Sequence, residues 1–181
     1  MDDPEERDLV KCAQSDSEAF GQLYRRYVRR IYNYHYRHTG NVTEAEDLTS
    51  HTFYRALGAI KKYRDKGVPF QAWLFRIAHN LVVNWYRDRG RRQLVSIDDV
   101  EPLLSEEHGL HTHVEMAEDQ QLLLDMIQSL PEDRKTLIIL KFVERMSNAE
   151  IAVVLGKTEG AIKALYHRTL VNLRQTMVEK K

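Results

Sequence analysis

Residues 148–168 read Asn148-Ala149-Glu150-Ile151-Ala152-Val153-Val154-Leu155-Gly156-Lys157-Thr158-Glu159-Gly160-Ala161-Ile162-Lys163-Ala164-Leu165-Tyr166-His167-Arg168. Ile151, Ala152 and Leu155 recur on the inner face of a short helix, and Gly156 follows where a tight turn needs a residue tolerant of positive φ. Ile162 and Leu165 then anchor a second helix from inside, and Ala152 is small where the two helices cross. Ser147 and Glu150 form a capping box at the start of the first helix. The combination is the spacing of a helix-turn-helix, and it is more restrictive than any one of its parts. The outward face of the second helix offers Glu159, Lys163, His167 and Arg168, groups suited to base edges and phosphates in a major groove. The bland alternative is an αα-hairpin with the same inner pattern and a merely solvated polar face.

Helix signals run outward from this motif through most of the chain, and strand signals are almost absent. Asp3-Pro4 with Glu5 and Glu6 reads as a cap, a proline at the first helical position and acids at the positive end of the dipole. Ser15 with Glu18, and Thr43 with Glu46, read as capping boxes. The first opens a helix carrying Phe20, Leu23, Tyr24, Tyr27, Ile31 and Tyr34 to Gly40; the second opens one with a Leu48, Thr52, Ala56, Ile60 stripe. Gly67-Val68-Pro69 breaks the chain, and a fourth helix from Phe70 to about Arg87 turns Trp73, Ile77, Leu81 and Trp85 inward. Residues 93–113 contain no Lys or Arg, many acids, Pro102 and Gly109, and no sustained periodicity, so they read as a flexible linker. The expected fold is all-α: two small helical domains, 1–92 and 114–181, joined by an acidic linker, 93–113.

Charge sharpens this division. The 181 residues carry 27 basic and 27 acidic side chains, so the formal charge is zero. That zero is a cancellation, because residues 61–92 hold a net +7 and residues 93–120 a net −8. A charge asymmetry of this kind points to an anionic partner for the basic parts. The single Cys12 allows no internal disulfide and no cysteine-based zinc site, which fits a reducing compartment. No apolar run approaches a membrane span, and the acidic amino terminus does not suit a signal peptide, so a cytoplasmic protein is expected.

The +7 block interleaves its cations with Tyr63, Phe70, Trp73, Phe75, Trp85 and Tyr86. Cations along a face suit duplex DNA and aromatic platforms suit unstacked bases, and this segment supplies both. Asn80, Asn84, Arg87 and Arg91 fall on one side of the fourth helix, and Trp73, Ile77 and Leu81 are expected inward of them. Trp73 and Trp85 are expected in the core, because aromatic stripes at helical spacing usually are, whereas Tyr63, Phe75 and Asn80 are expected to serve nucleic acid. His108, His111, His113 and Glu115 have ligand-like chemistry but sit in the linker, so no metal site is expected. His35, His38, His51 and His79 are dispersed on helices and suit solvated or hydrogen-bonded roles; Cys12 reads as a bystander. No nucleophile elbow, phosphate loop or metal-spaced pair appears, so neither a cofactor nor an enzymatic activity is expected.

Four stretches together resemble the bacterial extracytoplasmic-function (ECF) sigma factors of the primary sigma superfamily. They are Glu18-Ala19-Phe20-Gly21-Gln22-Leu23-Tyr24, Ala45-Glu46-Asp47-Leu48-Thr49, Phe70 to Asn80, and Leu130-Pro131 leading into the helix-turn-helix. The resemblance implies a dissociable subunit that directs core RNA polymerase to promoters. By similarity, Asp47, Leu48 and His51 lie on the polymerase-facing helix. Tyr63, Phe75, Arg76 and Asn80 would hold a base flipped out of the −10 element, and Asn84, Arg87, Arg91 and Arg92 the flanking duplex. Flipping a base costs a few kcal/mol, which such a pocket recovers in a sequence-dependent way. Lys163, His167 and Arg168 would read the −35 element. Relatives of this kind are often held by an anti-sigma factor, which the resemblance adds to polymerase and promoter DNA as a partner. The chain departs from the pattern at Ser50-His51, where Gln-Glu is usual, and at Leu165, where an Arg is common. The rival expectation is a free-standing helix-turn-helix regulator, for which the aromatic-basic block would have no purpose.

Overall fold

Side chains of the loops start the helices in this computed structural model, which describes residues 4–65, 67–95, 127 and 129–179, with side chains omitted at 4, 91–95 and 177–179. Helix α1 is Pro4–Ala13, α2 Ser17–Thr39, α3 Val42–Ala59 with a 3₁₀ turn at Ile60–Lys62, and α4 Phe70–Val95. Helix α5 is Glu132–Ile138 and runs into a π-helical turn at Ile139–Val143, α6 is Asn148–Leu155 and α7 Glu159–Glu179. No strand occurs among the described residues. The capping box at Ser147 and Glu150 is present in both directions. The two upstream caps differ from the sequence reading. Asp16, not Ser15, caps α2 by accepting from the Glu18 amide at 2.9 Å, and Asn41, not Thr43, caps α3 by accepting from the Glu44 amide at 3.0 Å. A carboxylate or amide oxygen reaches the open amides of the first turn directly, and these residues stand nearest to them. Gly40 closes α2 in the left-handed region at φ 65°, its amide donating to Tyr36 carbonyl.

Helix α2 buries Leu23, Tyr27, Ile31 and Tyr34, and α3 buries Leu48, Thr52, Ala56 and, at its end, Ile60, as its stripe requires. Helix α4 is different. Its deepest residues are Leu74, Phe75, Ala78 and Val82, while Trp73, Ile77 and Trp85 are half-buried and only Leu81 of the expected stripe is fully covered. The reason is a second neighbour: α6 lies along α4, and one continuous apolar core joins Tyr34, Phe75 and Val82 to Leu137, Leu140, Ile151 and Ile162. A helix flanked on two sides buries more than one stripe. The two domains are further joined where Arg30 Nη2 meets Glu144 Oε2 at 2.8 Å and Gln71 Nε2 donates to Glu144 carbonyl at 3.2 Å. Helix α4 continues three residues past the expected boundary at 92; the remaining linker, and the expected domain start at 114, lie outside the described residues.

Two backbone and charge features of this junction are open to measurement. Arg145 sits in the left-handed region at φ 54°, which costs an L side chain about 1–2 kcal/mol. Part of that is offset by glycine's larger entropy when unfolded, so Arg145→Gly is expected to stabilise the protein by about 0.5–1 kcal/mol in urea unfolding. A loss of stability would show that the Arg145 side chain contributes more than its backbone costs. The Glu144 side chain is almost fully buried, whereas that of Arg30 is partly solvated at 36%. Removing the partner in Arg30→Ala leaves the carboxylate buried and alone, an expected loss of about 2 kcal/mol by the same assay, reduced from the fully buried case by solvent at Arg30.

Candidate nucleic-acid interface

With two faces of α4 covered, one stripe remains. Arg76, Asn80 and Arg87 are exposed and Asn84 half-buried, at offsets of one helical face, and Arg87 Nη2 donates to Asn84 Oδ1 at 2.9 Å. This contact splays a guanidinium and an amide side by side, a donor set suited to phosphate and base edges. Arg91 and Arg92 continue the same helix, but their side chains lie outside the described residues. Arg89 instead lies over the Trp85 ring at 5.3 Å, and Trp85 Nε1 donates to Glu44 Oε2 at 3.0 Å, which ties α4 to α3.

The expected base pocket does not assemble as a group. Arg76 and Asn80 share the open stripe, but Phe75 is in the core, edge-on to Tyr34 at 5.4 Å and beneath the Arg30 guanidinium at 5.7 Å. Its flat face is already used, so the expectation of Phe75 as a stacking platform is not carried forward. Tyr63 is also buried, edge-on to Phe70 at 5.9 Å and tilted against Trp73 at 5.2 Å. Its hydroxyl donates to Val68 carbonyl at 2.8 Å, and burial, followed by the charges of Asp65 and Glu6, pushes it up to about 12. Tyr63 therefore shapes the loop to Pro69, in which Gly67 takes φ 78°, rather than standing open to solvent. Helix α1 grips that loop: Gln14 Nε2 donates to Tyr63 carbonyl at 2.9 Å and Arg7 pairs with Asp65 at 3.3 Å. A cavity of about 230 Å³ lies between them, lined by Arg7, Lys11, Tyr63, Arg64 and Phe70 among others. Sequence reading missed this role of α1, because residues 49 apart give no local periodic signal.

The helix-turn-helix is as its sequence suggests, with one exchange. Ile151, Ala152 and Ile162 are buried, but Val154 takes the deep position and Leu155 is half-buried. Gly156 turns the chain at φ 63°, and Thr158 Oγ1 accepts from the Ala161 amide at 3.2 Å to start α7. Lys163, His167 and Arg168 are all exposed on α7. Lys163 pairs with Glu159 at 2.9 Å and Arg168 Nε reaches Ala164 carbonyl at 3.3 Å. Both are exposed contacts of little strength, which an anionic partner can displace.

On α3, Asp47 and His51 are exposed, but Leu48 is buried and so cannot be a surface contact; its place in the buried stripe turns it inward. Tyr54 at 79% and Leu57 at 51% exposure extend the Asp47–His51 face instead. Their apolar character off the buried stripe was the available signal. His35 donates to or accepts from Thr52, and His79 pairs with Tyr34, so two of the scattered histidines are hydrogen-bonded in the core, and Cys12 is exposed. Among the described residues no group of His, Cys, Asp and Glu could hold a metal, and no helix is long and apolar enough to cross a membrane. The linker histidines lie outside the described residues.

Known proteins share this architecture. A Sigma-70 region 2 family model matches residues 23–92, and a Sigma-70 region 4 model matches residues 120–173. The ECF RNA polymerase sigma factor BldN of Streptomyces coelicolor is 36% identical over 94% of this chain, which spans 65% of BldN's own length. The ECF sigma factor SigW of Bacillus subtilis is 30% identical, with 93% of this chain and 94% of SigW covered. The fold is that of CnrH, solved with the cytosolic domain of CnrY, at TM-score 0.70 and 23% identity over 97% of this chain and 99% of CnrH. It is also that of the sigma factor RpoE of Bartonella quintana, solved with the anti-sigma factor NepR, at TM-score 0.71 and 24% identity over 88% and 96%. With a region 2 match spanning the α4 stripe, a region 4 match spanning the helix-turn-helix, and SigW matched over nearly its whole length, the chain belongs to the ECF RNA polymerase sigma factors.

Proposed function

We propose that this alternative sigma factor binds core RNA polymerase in the cytoplasm and directs it to promoters, reading a −35 element with α7 and opening a −10 element with α4, without catalytic activity of its own. The observation that carries this reading is the open stripe Arg76, Asn80, Asn84 and Arg87 on a helix whose other faces are both buried. Arg91 and Arg92 extend that basic run in sequence, and Lys163, His167 and Arg168 supply the second contact. Asp47 and His51, with Tyr54 and Leu57, form the face offered to polymerase. An anti-sigma factor belongs to the proposal as a competitor for such surfaces, as NepR is a partner of RpoE.

Run-off transcription with core polymerase on genomic fragments tests the reading: specific initiation that depends on the chain is expected, and duplex binding without initiation would favour a free-standing regulator. Within that assay the stripe separates into two roles. Arg87→Ala removes a phosphate contact, so binding should weaken across promoters and the salt dependence fall by about one counterion. Asn80→Ala should chiefly impair opening at one base position, seen as promoter-dependent loss in single-stranded-thymine footprints. Equal losses on matched and mismatched promoters would remove Asn80 from base reading.

A further inference from the structure

The contact between the domains contains groups that promoter reading does not use. We propose that His38 and His79, enclosed between the two domains, form a proton-sensitive clasp, so that mild acidification separates the domains while each stays folded. This goes beyond the sigma-factor reading, and only the functional meaning of opening rests on that reading.

His38 ends α2 at 4% exposure. Its ring lies edge-on to Tyr34 at 4.7 Å and to Tyr86 at 6.2 Å, and Tyr86 donates to its carbonyl at 3.0 Å. Across the domain boundary its Nε2 is 3.5 Å from Thr136 Oγ1 of α5, and its buried Nδ1 has no partner. His79, on α4, holds its Nδ1 3.2 Å from the Tyr34 hydroxyl.

The charged groups acting on the pair from the second domain are Asp133 and Lys135 on α5 and Lys157 in the turn after α6, while Glu132 and Glu144 act on the neighbouring Tyr34. Lys157 pairs with Asp133 at 3.0 Å and Glu144 with Arg30. From their own domain they face each other, His35, Tyr34 and Tyr86, while Arg30 and Arg37 act on Glu144. Burial, then the Lys135 charge and the neighbouring histidines, lower His38 to about 3. Burial also lowers His79, with Asp133 opposing and Lys157 assisting. A group that binds its proton less well in the closed form contributes stability present above its free value, about 6.5, and lost as pH falls below it. Glu132 and Glu144 are raised by burial, so their protonation favours the closed form and opposes the histidines. Opening therefore sets in as pH falls below about 6.5, driven by the histidines against these two carboxyls. With a free value near 6.5 lowered to about 3 on closure, His38 shifts the open-to-closed ratio about tenfold between pH 7.5 and 5.5, and His79 adds in the same direction.

Opening has a functional meaning. A closed globule of 181 residues has a radius of gyration of about 16 Å. Promoter elements named −35 and −10 lie roughly 25 base pairs, or about 85 Å, apart at about 3.4 Å per pair. The closed form cannot bridge them, so the clasp governs the fraction of free chain in an extended form.

Small-angle scattering of the full chain, with far-UV circular dichroism on the same samples, tests the clasp. The radius of gyration should rise from pH 7.5 to 5.5 at constant helix content, and the His38→Gln, His79→Gln double variant should not respond. A radius independent of pH, an equal response in the double variant, or expansion that accompanies helix loss would overturn the proposal. Should the double variant not fold, histidine ring resonances of the unaltered chain decide. His38 and His79 must titrate with the expansion, while His35, which is bonded to Thr52 within the first domain, must not. Titration of the pair apart from the expansion overturns the clasp as well.

Discussion

Helix α4 has to satisfy three demands on one cylinder: it packs on α2 and α3, it receives α6 of the second domain, and it leaves Arg76, Asn80, Asn84 and Arg87 to solvent. Everything else follows from how those faces are divided. The side toward α2 and α6 is lined by Phe75, Ala78 and Val82, and the edge toward α3 is held by Trp85 on Glu44. The stripe left over is polar apart from Val83, which stands exposed within it. A helix buried on two sides is also rigid, which holds a reading face in place without loop motion.

The join between the domains is mixed in character. Its apolar part is continuous with the core, while its polar part concentrates on Glu144, which receives Arg30 at its carboxylate and Gln71 at its carbonyl. Buried polar contacts of this kind contribute little net stability but penalise any arrangement that leaves them unpaired. That is the property expected of a contact that must form one way and still come apart. Arg145, held at positive φ directly after Glu144, places strain at the same point.

Much of this was legible in the sequence, for identifiable reasons. The helix-turn-helix could be read because its cap, its turn glycine and its inner residues all lie within one short stretch. On α4 helical periodicity lines Trp73 and Ile77 up with Asn80, Asn84 and Arg87 on one face, so the polar stripe is legible only from Asn80 onward, and Trp73 and Ile77 stand half-buried at its start. Phe75 was misread because periodicity within α4 shows one partner, and the second partner comes from residues more than sixty positions away. At Leu48 the family motif and the buried stripe point opposite ways and the stripe prevails, because a motif marks a region and not the direction of each side chain. The grip of Gln14 and Arg7 on the loop at Tyr63 was invisible for the same reason of distance. The zero net charge, finally, described no part of the molecule, since the +7 segment and the acidic segment are separate in sequence.

The central claim is that α4 and α7 address two different promoter elements from one polymerase-bound chain. Site-specific photo-crosslinking tests it most directly, with the crosslinker at position 84 or at position 167 of the full chain assembled with core polymerase on one promoter. The account predicts crosslinks from position 84 to the −10 element and from position 167 to the −35 element. Crosslinks from both positions to the same element, or none from position 84 in a complex that initiates transcription, would contradict it.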